Sequence, residues 1–153
     1  MDSNPWGIEA VDDFASIVLG RVQHQGEVVG YVFVIEPKRR NAQYKMPGGH
    51  KKPGETPLET AQREFLGETG INTSLSQYAY IDKAKKENRE GSHWSILFRV
   101  DLTEEDVKWM NNHHPENEGE EPKYFTISEL GELIHTNGFL SYHLQRLQGA
   151  ELL

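Results

Sequence analysis

The spacing of apolar residues changes period several times along this chain. From Phe14 to Val22 the run FASIVLGRV is dense in apolar and β-branched residues and reads as a strand. Gln25-Gly26-Glu27 marks a turn, and Val28 to Ile35 returns as a second strand, a hairpin signal. Pro37 to Gln43 is a basic loop, and Tyr44 to Met46 is a short extended approach to Pro47-Gly48-Gly49. The period then becomes helical, with Leu58, Ala61 and Phe65 forming a narrow apolar stripe. Thr56 is a good N-cap, Pro57 suits the first helical position, and Glu59 completes a capping box. Gly70 suits a left-handed cap and Ile71 returns the chain to the core, so the helix spans Pro57 to Thr69. Tyr78 to Lys83 and Trp94 to Leu102 read as strands joined through Glu87-Asn88-Arg89-Glu90-Gly91. Thr103 caps a short helix over Glu104 to Met110, and Asn111 to Glu121 is a polar, acidic loop. Lys123 to Ile127 is a last strand, Ser128 caps a helix over Glu129 to His135, and Leu140 to Leu147 starts a C-terminal helix. This order predicts an α/β (α+β) class, an α/β/α sandwich around a mixed β-sheet, and one domain over residues 1–153.

Composition narrows the function more than the fold. Lys plus Arg number 16 against 24 Asp plus Glu, a net charge of -8, which disfavours nonspecific nucleic-acid binding. The same charge makes an anionic substrate hard to hold without a metal or local Arg and Lys. There is no cysteine, so neither a disulfide framework nor a zinc-thiolate site is expected. Met1 to Asp13 carries acids where a signal peptide needs basic residues. No segment approaches the ~18 consecutive apolar residues of a membrane span. A cytoplasmic protein with no membrane partner is expected, and a homodimer stays open.

The candidate chemistry lies on the first helix. Glu64 and Glu68 are i and i+4, so their carboxylates share a face and repel unless a cation lies between them. Hard oxygen ligands with little else around them suit Mg2+ or Mn2+, which keep waters and bind substrate phosphates. The alternative is a solvated acidic face with Glu59 paired to Arg63.

The wider spacing carries a resemblance. From Gly49 to Ile71 the chain reads Gly, five residues, Glu55, seven residues, Arg63-Glu64-Phe65, one residue, Gly67-Glu68, one residue, Gly70-Ile71. That order resembles the Nudix box, and Tyr44-Lys-Met-Pro-Gly-Gly49 is similar to the approach that precedes it in Nudix hydrolases. Tyr124 to Leu130 is similar to the family's closing strand and helix. One position departs: Gly67 stands where the family usually has the first of two consecutive Glu residues.

The resemblance implies a Nudix-type sandwich and divalent-metal-dependent hydrolysis of a pyrophosphate bond. The substrate would be a nucleoside diphosphate linked to another moiety: a nucleotide sugar, a dinucleoside polyphosphate or a nucleoside triphosphate. It implies metal ligation by Glu64 and Glu68 with a backbone carbonyl of Gly48 or Gly49, and Arg63 bracing the loop against Glu55. A base or water-orienting carboxylate would come from Glu116, Glu118, Glu120 or Glu121, with Glu118 first and Glu121 second; His113 and His114 are alternatives. Arg39 and Arg40, with Lys38, could meet phosphate, or could simply solubilise a connection. His50 follows the glycine pair closely enough to see phosphate. Trp94 could stack on a nucleobase, or serve as a core tryptophan. Gly67 supports a second reading, a catalytically weak Nudix domain that binds a nucleotide or nucleotide sugar as a sensor.

Overall fold

A computed structural model of the chain describes residues 4–9, 11–89, 91–113 and 119–153. The central strand, β1 (Phe14–His24), is buried on both faces over most of its length. It turns into β2 (Glu27–Ile35) through Gln25 and Gly26, whose φ angles of 51° and 81° give the doubly left-handed turn that tight hairpins favour. The short β3 (Gly48–His50) pairs antiparallel with the start of β1, Gly48 opposite Ile17. Helix α1 (Pro57–Thr69) follows, then a single 3-10 turn (Leu75–Gln77) and the hairpin β4 (Tyr78–Asn88) and β5 (Gly91–Thr103). Helix α2 (Glu104–Asn112), β6 (Glu121–Thr126), α3 (Ile127–His135) and α4 (Ser141–Gly149) complete the order.

The sheet runs β4-β5-β1-β2-β6, with β3 paired to β1 off that path. Among the described strands only β1 and β5 run parallel, from Phe14 opposite Trp94 to Gln23 opposite Thr103; the other strand pairs are antiparallel. The sheet is therefore mixed, as the order of elements implied. Alternation along β1 splits its side chains between two cores. Phe14, Val18 and Val22 pack with Ala61 and Phe65 of α1 and Val107 and Met110 of α2. Ile17 and Leu19 pack on the other face with Leu130 of α3 and Leu147 of α4. Helices on both faces of one sheet make the α/β/α sandwich.

Three local expectations need correction. The last strand ends at Thr126, and Thr126 rather than Ser128 caps α3: its hydroxyl accepts from Glu129 N–H at 3.2 Å while Glu129 Oε1 accepts from Thr126 N–H at 2.9 Å. Ser128 has Gly131 three residues on and cannot form that reciprocal box. The β4–β5 hairpin is longer than its apolar pattern indicated, because Lys85 and Lys86 are still paired opposite Trp94 and His93. Helix α2 likewise continues to Asn112, past the expected end at Met110.

Candidate functional site

Helix α1 is fixed at its start by three devices. The Thr56–Glu59 box is complete in both directions, Pro57 fills the first turn, and the Pro57 carbonyl accepts from the buried Ser16 hydroxyl of β1 at 2.8 Å. Its apolar side seats Phe65 over Gly20, where an added Cβ would come within 3.1 Å of the ring. The end is closed by Gly70 at φ 79°, donating to the Leu66 carbonyl at 2.8 Å. With both ends and the apolar side set, Glu64 and Glu68 can only face β3.

There the two carboxylates meet the glycine pair. Gly48 N–H donates to Glu68 Oε2 at 3.1 Å. An added Cβ at Gly49 would sit 2.7 Å from the Glu64 carboxylate, so only glycine lets the backbone approach this closely. Arg63 holds the adjoining loop, as the resemblance implied. It donates from Nε to Glu55 Oε2 at 2.6 Å, from one terminal nitrogen to Glu64 Oε1 at 2.7 Å, and from the other to Glu55 Oε1 at 2.9 Å and the His50 carbonyl at 3.1 Å. The hydrogen bond from Arg63 leads the effects that bring the Glu55 carboxyl down to about 2.

Glu68 shows the opposite behaviour. It is 1% exposed, and burial pushes its carboxyl well above the usual range; the hydrogen bond to Glu64 and the charges of Glu120 and Glu64 add to the shift. Glu120 hydrogen-bonds Glu68, and burial raises its carboxyl too. Three carboxylates therefore crowd one point, an excess of charge that a proton or a cation relieves. Among the described residues no three His, Asp or Glu side chains already form a metal cage. The donor set nevertheless fits a hard divalent ion, which takes one or two carboxylates and completes its sphere with water and substrate oxygens.

A cavity of about 520 Å³ opens beside the same glycine pair. Gly48 and Gly49 form part of its wall, and Arg39, Arg40, Lys45 and Lys86 give it positive charge within a chain of net charge -8. His50 lies on its rim, its ring 4.8 Å from that of the buried His93. The cavity thus gathers Arg39, Arg40, His50, Gly48 and Gly49, all singled out in sequence. It does not take in Trp94. Strand alternation turns Trp94 to the α1 side of β5, where it packs beside the core with Lys83 and Lys85 nitrogens 4.8 and 4.4 Å from its ring centre. Lys38, His113, Glu120 and Glu121 line a different hollow, with Glu121 exposed at the start of β6 and Glu120 reaching back to Glu68. Glu116, Glu118 and His114 lie outside the described residues.

The sequence reading set Glu120 behind Glu118 and did not single out Lys45, Tyr142 or His143, which also border the cavity. Their only signal is nearness in space: α4 reaches the cavity through the bridge of Tyr44 to Phe139, far apart in the chain.

The chain belongs to the Nudix family: its NUDIX domain model matches residues 15–146. That is the class of Nudix pyrophosphohydrolases. No curated protein matches the chain in sequence. Solved structures share the fold. The NUDIX domain of Shewanella oneidensis NrtR complexed with ADP ribose aligns at TM-score 0.65 and 10% identity, over 98% of this chain and 92% of that one. A C. elegans Ap4A hydrolase aligns at 0.56 and 17%, over 94% of this chain and 100% of that one. A MutT/nudix family protein from Enterococcus faecalis aligns at 0.58 and 13% over 75% of this chain, which spans only 44% of that protein. No helix among the described residues is long and apolar enough to cross a membrane.

Proposed function

We propose that this chain, as one domain, hydrolyses the pyrophosphate bond of a nucleoside diphosphate linked to another moiety, using Mg2+ or Mn2+. One observation carries the reading. The half-buried carboxylate of Glu64 and the buried one of Glu68 meet the Gly48–Gly49 backbone that also walls a cationic cavity, so an acidic and a basic subsite share one edge.

Glu64, Glu68 and the Gly48–Gly49 backbone are the groups that would hold the ion, which when bound neutralises the diphosphate and acidifies a water. Arg39, Arg40 and Lys45 bind phosphate oxygens from the cavity side, where arginine offers paired donors. Arg63 keeps the loop and Glu64 in register through its bonds to Glu55 and the His50 carbonyl. Glu120, rather than Glu121, would orient the attacking water and take its proton; its hydrogen bond to Glu68, which Glu121 lacks among the described contacts, supports that choice. A P–O bond to water forms, the bridging P–O bond breaks, and two phosphate-ended products leave.

The family match favours hydrolysis over the sensor reading that Gly67 raised. A screen of nucleotide sugars, dinucleoside polyphosphates, ADP-ribose and nucleoside triphosphates with Mg2+ and with Mn2+ tests it. Turnover of at least one, increased in Gly67→Glu or unchanged, is expected. Tight binding with no turnover in either metal, restored only in Gly67→Glu, would turn the assignment to a sensor.

A further inference from the structure

One buried polar side chain in the cavity wall takes no part in the chemistry above. His143 on α4 is 6% exposed. Its Nδ1 accepts from the Met46 N–H at 2.8 Å, so the ring proton of the neutral imidazole lies on Nε2. Burial leads the effects that hold the ring neutral, followed by the charges of Lys86, Lys45 and Arg146. Among the described residues Nε2 has no hydrogen-bond partner, and the ring borders the cavity. Met46 belongs to the same short run as Gly48 and Gly49, so its N–H sets the ring against the segment that approaches the acidic helix. The nitrogen is not sealed from solvent, so in the empty cavity its N–H is free to donate to water, and a bound ligand must replace that water with an acceptor of its own.

We propose that His143 is a specificity-determining residue, whose fixed Nε2–H recognises an acceptor oxygen on the non-nucleoside moiety of the substrate. This rests on the pyrophosphohydrolase reading and deepens it. The cations of the cavity answer to phosphate; a neutral, single donor does not need charge and suits a hydroxyl or carbonyl oxygen. A cavity of about 520 Å³ has room for a sugar beside a phosphate, so the favoured class is a nucleoside diphosphate bearing a hydroxyl-rich group. A partner that fills the cavity but lacks this oxygen displaces the water and leaves the donor unpaired, so it binds more weakly.

Two substitutions separate recognition from packing. In His143→Asn the side-chain oxygen can replace Nδ1 as acceptor for Met46 N–H, but nothing reaches the Nε2 position. In His143→Gln the amide N–H reaches the Nε2 position, but the Met46 bond is lost. Calorimetry with the full chain compares UDP-glucose, GDP-mannose and ADP-ribose against UDP, GDP and ADP; kcat and KM follow for each nucleotide sugar that is turned over. In the parent, at least one nucleotide sugar binds more tightly than its own nucleoside diphosphate. That preference falls roughly tenfold in His143→Asn, with KM rising more than kcat falls, and recovers in part in His143→Gln although the latter melts lower. An unchanged preference in a folded His143→Asn overturns the proposal, as does a parent with no preference for any sugar-bearing ligand. Binding is read without turnover, so a chain that binds but never hydrolyses sinks the hydrolase reading alone.

Discussion

Replacing Glu68 by Gln should make the metal-free protein more stable and the enzyme nearly dead. The carboxyl of Glu68 is buried beside Glu64 and Glu120, and its folded pKa is raised above the ordinary 4.5. A raised acid stabilises the fold fully below its unfolded pKa, and that contribution is lost as pH rises toward the folded value. Between 4.5 and neutrality lie about 2.5 units at 1.36 kcal/mol each, a ceiling of about 3 kcal/mol at pH 7. The proton is shared with neighbours and Arg63 lies close, so about 1–3 kcal/mol is the working range. Gln keeps an acceptor for Gly48 N–H and an N–H pair for the flanking carboxylates, with no charge to bury. Melting at pH 7 in a chelator should therefore rise by about 3–10 °C. Adding Mn2+ should raise the parent by about 2.7 kcal/mol at a hundredfold excess over its dissociation constant, and the variant by far less. Hydrolysis should fall at least about a hundredfold. A variant that melts lower than the parent in chelator, or that gains the same stability from Mn2+, would refute the reasoning.

Other perturbations read separate parts of the site. Gly49→Ala sets a Cβ 2.7 Å from the Glu64 carboxylate, which swings aside; kcat should fall at least about tenfold while the urea midpoint moves little. Arg63→Lys loses the paired grip on Glu55 and the reach to the His50 carbonyl, and should cost about 1–3 kcal/mol in urea unfolding. His143 is held down to about 3 by burial, so its contribution is intact above its unfolded value of 6.5 and is lost as pH falls toward 3. Unfolding at pH 6.5 and pH 5 should differ by up to about 2 kcal/mol from this ring, and His143→Asn should flatten that slope. Phe65→Ala empties the contact of α1 with Gly20 and should cost about 3–5 kcal/mol, with activity lost alongside as Glu64 and Glu68 shift.

The elements legible from sequence are those with local signatures. Helix α1 runs from Pro57 to Thr69 as its cap, proline and terminal glycine dictate, because each of those signals acts within one turn. The first hairpin was equally clear from Gln25-Gly26. The length of the second was not, since Lys85 and Lys86 owe their strand conformation to pairing with β5 and not to their own preference. The same division holds at the site. Glu64, Glu68 and the glycines could be read together because they sit on one helix and the loop before it. His143 could not, because only the fold brings α4 to Met46 across 97 positions. Trp94 and His93 adjoin in sequence, and strand alternation alone decides that the histidine, not the tryptophan, faces the cavity.

The most direct measurement is anomalous diffraction from crystals soaked in Mn2+ with a non-hydrolysable nucleoside diphosphate. A peak between the Glu64 and Glu68 carboxylates and the Gly48–Gly49 backbone, with phosphate oxygens on its far side toward Arg39 and Arg40, is the expected result. Phosphate held in the cavity with no manganese at those carboxylates would contradict the account.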